Sequence, residues 1–299
     1  LVFATSFFSA TQDIVLDAYR REILEDDELG IGNSIFINAY RISSLIPGSF
    51  ALILSDIMPW ASVYPIVGLF MIVGIITTLL VAESANDNIS PNSLKEAVID
   101  PFAEFFSRKG GLKSAFSIIA FMLLYKLGDS MATALATPFY IDLGFSLTEI
   151  GTVAKFSALW ASILGTIIGG LAMLKLSINR ALWLFGLVQI ISILGFAILA
   201  KIGNSIPALF AAVSFEYLGV SLGTVALTAF IAKQTSLSFT ATQFALLTSI
   251  MVIPRTFANA STGFIIDALG YFNFFIICTI AAIPGMLLLF IVAPWNEKN

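Results

Sequence analysis

The sequence predicts an all-α polytopic membrane protein, and three observations carry that prediction. Of the 299 residues, 58% are hydrophobic and only 11% are charged, less than half the charged share of a soluble domain. Apolar runs of the length that crosses a bilayer as a helix, about 20 residues, recur along the whole chain. Basic residues between these runs fall almost entirely on alternate connections, the asymmetry that sets membrane orientation.

The first element is Leu1–Ala18. It opens on LVFATSFF and runs into SATQDIVLDAYRR, which places Asp13 and Asp17 four residues apart, on one face of a helix. The chain begins inside this apolar run without a Met and without a signal-peptide pattern, so the expectation is a chain whose earlier spans are missing. The remaining spans expected are Gly30–Leu54, Ala61–Val81, Ser114–Tyr140, Ile150–Ala172, Ala181–Ala200, Ile206–Ala232, Thr240–Ile266 and Phe272–Pro294. Glu83–Gly111 is the only long connection. Its opening ESANDNISPNS is turn-rich, and Leu94, Val98, Phe102 and Phe105 then recur at helical spacing among Lys95, Glu96, Glu104 and Arg108. That pattern predicts an amphipathic helix in the interface, kinked near Pro101.

Arg20, Arg21, Lys95, Arg108, Lys109, Lys113, Lys175, Arg180, Lys233 and Lys298 all lie on one side of this topology, and Lys201 alone lies on the other. The rule that basic loops stay inside makes the first side, and the C-terminus, cytoplasmic. An odd number of spans is then expected before Leu1 if the native N-terminus is cytoplasmic. Ala161, Gly165 and Gly169, and again Gly219 and Gly223, follow the small-xxx-small spacing that lets membrane helices approach closely.

Eight charged residues remain inside apolar runs: Asp13, Asp17, Arg41, Lys126, Asp129, Lys155, Glu216 and Arg255. Each costs roughly 2.5–3.5 kcal/mol to insert and therefore faces a bundle interior or a wet cavity. The third, sixth and ninth spans have none, giving a period of three in which the uncharged helix packs outside against lipid. For Asp13 and Arg41 a structural ion pair and a direct role in the pathway both stand, because a rise of 1.5 Å per residue puts them about 11 and 16 Å from the cytoplasmic boundary. Asp17, nearer that boundary, fits snorkelling. Lys126 and Asp129 fit either a self-satisfied pair or a cavity wall shared with Tyr125, Thr133 and Thr137. Lys155 either snorkels outward or attracts an anionic ligand. Gln12 and Gln243, with the aromatic residues Tyr125, Trp160 and Tyr217, are candidate contacts for sugar hydroxyls and faces. Glu216 has no base within a turn of its own helix. It is the candidate carrier of a coupling proton, unless Arg255 forms a permanent bridge to it.

Two charged spans and one uncharged, repeated around a long linker, is the plan of major facilitator transporters. The expected organisation is then residues 1–82 as the last three helices of an N-terminal half-bundle, 83–112 as a cytoplasmic linker and 113–299 as a six-helix C-terminal half: nine of twelve transmembrane helices of a major facilitator fold. The segments SATQDIVLDAYRREIL, NAYRISSLIPGSFALILSD, LLYKLGDSMATALATPF, FEYLGVSLGT and FTATQFALLTSI, in this order, resemble the AmpG-type muropeptide permeases of that superfamily over essentially the whole chain. The QDIVLD core by itself is less specific, being similar to acetyl-CoA transporters. The resemblance implies proton symport of N-acetylglucosaminyl-anhydro-N-acetylmuramyl peptides across the bacterial inner membrane during peptidoglycan recycling. The rival within transporters is a carrier of another anionic solute such as acetyl-CoA.

Other classes fit the residues less well. The chain has no histidine and a single cysteine, Cys278, in its last span, which argues against a membrane-embedded transferase or hydrolase. No Walker A pattern is present, and a channel would want rings of like charge. The expected partners are an anionic sugar-peptide substrate, protons and the lipid bilayer. Neither a metal, a cofactor nor a nucleic acid is expected, and the chain is expected to work as a monomer.

Overall fold

The computed structural model describes residues 2–55, 57–81, 93–108 and 110–296. Helices make up nearly all of it, and no strand occurs among the described residues. The chain opens with α1 (Val2–Ile23) and α2 (Leu29–Ser43), continued by a π-helical turn at Ile46–Phe50 and by α3 (Ala51–Ser55). Pro47 sits at the start of the π turn. It has no N–H to give to the carbonyl of Ser43, where α2 ends, and this is what loosens the helix there. Next come α4 (Trp60–Leu69) and α5 (Met71–Leu80), joined through Phe70, and then α6 (Leu94–Ser107), on the connection read from the sequence as a linker. Ser93 caps α6 by accepting from the Glu96 N–H, and Pro101 is carried inside the helix.

The fourth span expected from sequence is interrupted twice, into α7 (Gly111–Tyr125), α8 (Leu127–Ala134) and α9 (Ala136–Asp142). Pro138 explains the second break. Its ring displaces the carbonyl four residues back, at Ala134, where α8 stops. The next span starts three residues before the sequence boundary, at α10 (Leu147–Glu149). There Ser146 and Glu149 form reciprocal caps, Ser146 N to Glu149 Oε2 at 2.8 Å and Glu149 N to Ser146 Oγ at 3.2 Å. It passes through a π turn at Ile150–Lys155 into α11 (Phe156–Met173).

Then follow α12 (Ile178–Ile202), α13 (Ile206–Gln234) and α14 (Thr240–Val292). The 53 residues of α14 would reach about 80 Å at 1.5 Å each, far beyond the roughly 30 Å of a bilayer. The chain turns back inside it at Gly270, whose φ of 74° is open to glycine and costly for other residues.

Six stretches among the described residues are long and apolar enough to cross a membrane: Trp60–Leu80, Gly111–Asp142, Ile150–Met173, Ile178–Ile202, Ile206–Gln234 and Leu237–Val292. The last is two passes because of Gly270. The helical stretches at 2–23 and 29–55, which are not among these six, fall where the first two spans were expected from the sequence. Only 6% of the Trp60–Leu80 window is buried, which fits an outer, lipid-facing helix.

Small residues set the close packing. A side chain at Gly165 would meet the Leu218 carbonyl at 2.9 Å, and one at Gly219 would meet Ser192 Oγ at 2.6 Å. So α13 lies between α11 and α12 at near backbone distance. Two apolar cores result. One, near the linker, holds Phe121, Leu182, Phe230 and Phe244; the other, at the far end, holds Phe139, Phe196, Phe275 and Cys278. On α12 the first core uses residues up to Phe185 and the second begins at Ile193; on α13 the second ends at Val213 and the first begins at Leu222. The level between the two cores is polar.

Candidate functional site

That middle level is built around the break between α7 and α8. Lys126 leaves helical geometry there, with φ −103° and ψ 4°, which frees carbonyls that an unbroken helix would use. A freed carbonyl at membrane depth must find a donor. Gln189 of α12 supplies it, donating from Nε2 to the Tyr125 carbonyl at 2.9 Å. The same amide accepts from Lys126 Nζ at 3.0 Å, and Lys126 also donates to the Val220 carbonyl at 3.0 Å and forms an ion pair with Asp129. The two residues pair across the break, three positions apart, the self-satisfied pair that was one of the two readings of the sequence.

One turn along α12 from Gln189, Ser192 Oγ lies 2.9 Å from the Gln189 carbonyl and 2.8 Å from Glu216 Oε2 of α13. Glu216 is completely buried, and among the described residues its Oε1 has no hydrogen-bond partner; Asp129 Oδ1 and the Tyr140 hydroxyl are likewise buried without one. Glu216 interacts electrostatically with Asp129, Lys126, Tyr140 and Cys278. The result is one polar network, Lys126–Asp129–Gln189–Ser192–Glu216, reaching across three helices. It borders a cavity of about 360 Å³ lined by Lys126, Asp129, Thr133, Tyr217, Thr224 and Thr228, among others.

A second cavity, about 460 Å³, lies between α1, α2 and α14 and is lined by Asp13, Asp17, Phe36, Tyr40, Thr248 and Ser249, among others. Asp13 is exposed in it. Asp17 is bound to Arg20 at 2.8 Å, and the Arg20 guanidinium stacks on Phe36 at 3.8 Å. The pairing of Asp13 with Arg41 does not form. The two helices are consecutive but pack on different partners, α1 on α14 and α2 on α11 and α13. Arg41 instead reaches α13, donating from Nη2 to Ser221 Oγ at 3.2 Å.

The other expected site residues divide. Tyr217 lines the first cavity. Lys155, exposed, donates to Thr137 Oγ1 at 3.1 Å, and Trp160 is exposed on the next turn. Gln12 borders a shallow recess with Met71, Ile75 and Thr78. Tyr125 is buried in the core near the linker: its ring packs on Phe121 at 5.0 Å and its hydroxyl donates to the Leu182 carbonyl at 2.9 Å. Gln243 is anchored near the linker. Its Nε2 donates to the Pro101 carbonyl and to Glu104, and its Oε1 accepts from Arg108 and from the Ser236 N–H. Every polar atom of that amide is used, so its geometry is that of a strut. The Arg255 side chain lies outside the described residues. Gln189 and Ser192 were missed because the sixth span carries no charge. The signal for them was a single Gln and a Ser in the apolar run LVQIISILGF.

A bundle of apolar passes with broken helices, mid-depth charges and polar cavities between helices defines a multi-pass membrane transporter for a small molecule. A family model of the Major Facilitator Superfamily matches residues 1–235, and the chain belongs to that family. Among its relatives, an uncharacterised protein of Haemophilus influenzae is 48% identical over 98% of this chain and 71% of its own length. The anhydromuropeptide permease of Escherichia coli K12 is 36% identical over 97% of this chain. The chain spans 59% of the length of that permease.

Proposed function

We propose that the chain forms the transport body of a proton-coupled importer of anhydro-muropeptides across the inner membrane of a Gram-negative bacterium. The observation that carries this reading is the 36% identity to an anhydromuropeptide permease over nearly the whole chain. The walls of the two cavities, acid, base and hydroxyls in the one at Lys126 and acids and hydroxyls in the one at Asp13, suit a sugar-peptide solute, which presents hydroxyls and amides beside its carboxylates. Residues 1–82 serve as the end of one half-bundle, 83–112 as the linker and 113–299 as the other half. The concentration of basic residues on one side supports a cytoplasmic C-terminus.

Hydrogen counting supports Glu216 as the proton carrier. The Ser192 hydroxyl has one proton, yet two oxygens stand within bonding reach of it, the Gln189 carbonyl and Glu216 Oε2. Both contacts are satisfied at once when a protonated Glu216 donates to Ser192 and Ser192 donates to Gln189. An ionised Glu216 would leave a buried charge with one oxygen unpartnered.

The test is expression of the gene in a Gram-negative strain lacking its own permease, with labelled disaccharide-peptide supplied to spheroplasts. Saturable uptake that collapses when the proton gradient is discharged is expected. Uptake equal to the empty vector, with the protein present in the membrane, refutes the assignment. Uptake of acetyl-CoA in its place identifies the rival solute.

A further inference from the structure

We propose that Arg41 and Ser221 form the anion subsite of the pathway, a bidentate seat for a carboxylate of the transported solute. The identity of that carboxylate as a peptide or lactyl carboxylate rests on the muropeptide reading; the anion chemistry does not.

Arg41 differs from the other cations described at or near membrane depth. Lys126 is neutralised by Asp129, Arg20 by Asp17 at 2.8 Å and Arg21 by Asp26 at 2.9 Å. Lys155 is exposed. Arg41 sits in the last turn of α2 and forms no ion pair with a carboxylate among the described residues; its one hydrogen bond goes to the neutral Ser221 hydroxyl. Its Nη1 is buried without a partner among the described residues, as is that of Arg20, which has Asp17 and the Phe36 ring to hold it. An arginine held this way inside an apolar segment is costly, and it does not stabilise the α2–α13 contact as a paired charge would. The planar fork of a guanidinium matches an oxyanion with two parallel N–H···O bonds. Nη1 is enclosed beside the nitrogen that holds the Ser221 hydroxyl, so an anion reaches the fork by entering between α2 and α13.

The location agrees. Ser221 adjoins Val220, whose carbonyl receives Lys126 and which lines the 360 Å³ cavity. Two cations from different elements therefore converge on one turn of α13. Lys126 is already compensated, which leaves Arg41 to discriminate for an anion. Because Arg41 belongs to α2 and Ser221 to α13, an anion seated there bridges elements from the two sides of the linker. Binding then favours the arrangement in which α2 and α13 are together.

The experiment uses the protein in lipid nanodiscs and three probes measured by titration calorimetry: an anhydro-muramyl tripeptide with free carboxylates, the same compound with its carboxyls amidated, and acetyl-CoA. Wild-type protein is expected to bind the free acid about tenfold or more tighter than the amide, the scale of one charge-assisted hydrogen bond. Arg41→Gln is expected to bring the two within about twofold by weakening the acid alone. A purely structural arginine would weaken both equally. Arg41→Lys, which restores the charge without the fork, is expected to recover part of the preference and decides the matter if Arg41→Gln does not fold. Arg41→Gln protein that still prefers the acid tenfold overturns the subsite, as does wild-type protein that binds acid and amide alike or binds none of the three. Arg41-dependent binding of acetyl-CoA without binding of the muropeptide keeps the anion subsite and removes the muropeptide reading.

Discussion

Gln189 reaches Lys126 because Gly223 has no side chain in its way, and Ser192 reaches Glu216 beside an equally bare Gly219. Gly223→Val is expected to push Gln189 off the Tyr125 carbonyl and to lower uptake tenfold or more, an estimate from the cost of a buried polar group left unpaired. Uptake within twofold of wild type at equal protein level would show the network to be dispensable. Glu216→Gln separates proton coupling from substrate passage. Gradient-driven accumulation in liposomes is expected to vanish while solute exchange at equal pH on both sides survives. Retained accumulation rules Glu216 out. Loss of both activities together with loss of folded protein assigns it a structural part. At this scale the sequence revealed whatever was charged: Lys126–Asp129 is evident from a three-residue spacing. Gln189 and Ser192 were hidden because an amide and a hydroxyl in an apolar run look like tolerated polar packing. Gln243 was misplaced for the opposite reason. An amide suited a sugar contact, although it stands only three residues after the start of its span at Thr240, beside the linker.

At the scale of the elements, the C-terminus of α13 gathers two arginines. Arg21 at the end of α1 donates from Nε to the Ala232 carbonyl at 2.6 Å, and Arg108 of the linker donates to the Gln234 carbonyl. Last-turn carbonyls have no partner in their own helix and carry the negative end of its dipole, so both contacts are favourable. Arg108 is held in turn by a two-pronged bridge to Glu104, at 2.8 and 2.7 Å. That hydrogen bond, with a further one from Gln243, keeps the Glu104 carboxyl below its ordinary value. The linker helix read from sequence as an interfacial segment is thus also docked on the bundle. Since the folded-state value is depressed, the docking contribution is full above the ordinary carboxylate value and is lost as pH falls through the depressed one. A spin-label distance between positions 98 and 238 is expected to stay fixed at pH 7 and to broaden in acid below the ordinary carboxylate value, about 4.3. Arg108→Ala is expected to broaden it at pH 7. A distance unchanged by both acid and substitution would mean that other contacts hold α6. Helix breaks were partly legible: Pro47 and Pro138 mark two of them, whereas the break at Lys126 has no proline and depends on Gln189 from another helix.

For the molecule as a whole, the count of passes and the outer position of Trp60–Leu80 were set by hydropathy and charge, which act locally and survive without knowledge of neighbours. Which helices touch was not accessible that way, so Asp13 and Arg41 were placed at compatible depths yet face different partners. Orientation is open to a direct check. A fluorescent-protein fusion at the C-terminus is expected to fluoresce, and an alkaline phosphatase fusion in the loop at Lys201 to be active; the reverse pattern would invert the topology. The Lys126–Asp129 pair bears on biogenesis. Two opposite charges one turn apart on the same segment neutralise each other before any tertiary contact exists, so the 111–142 segment can leave the translocon as an electrically balanced unit. Asp129→Asn is expected to strand the lysine and to reduce insertion of that segment in a glycosylation-mapping assay, by an amount approaching the roughly 2.5–3.5 kcal/mol of a lone central charge. Arg41 has no such companion on its own segment. The 29–55 segment must enter the bilayer with its charge bare and wait for α13, synthesised some 170 residues later, a delay in which membrane chaperones would find this segment first.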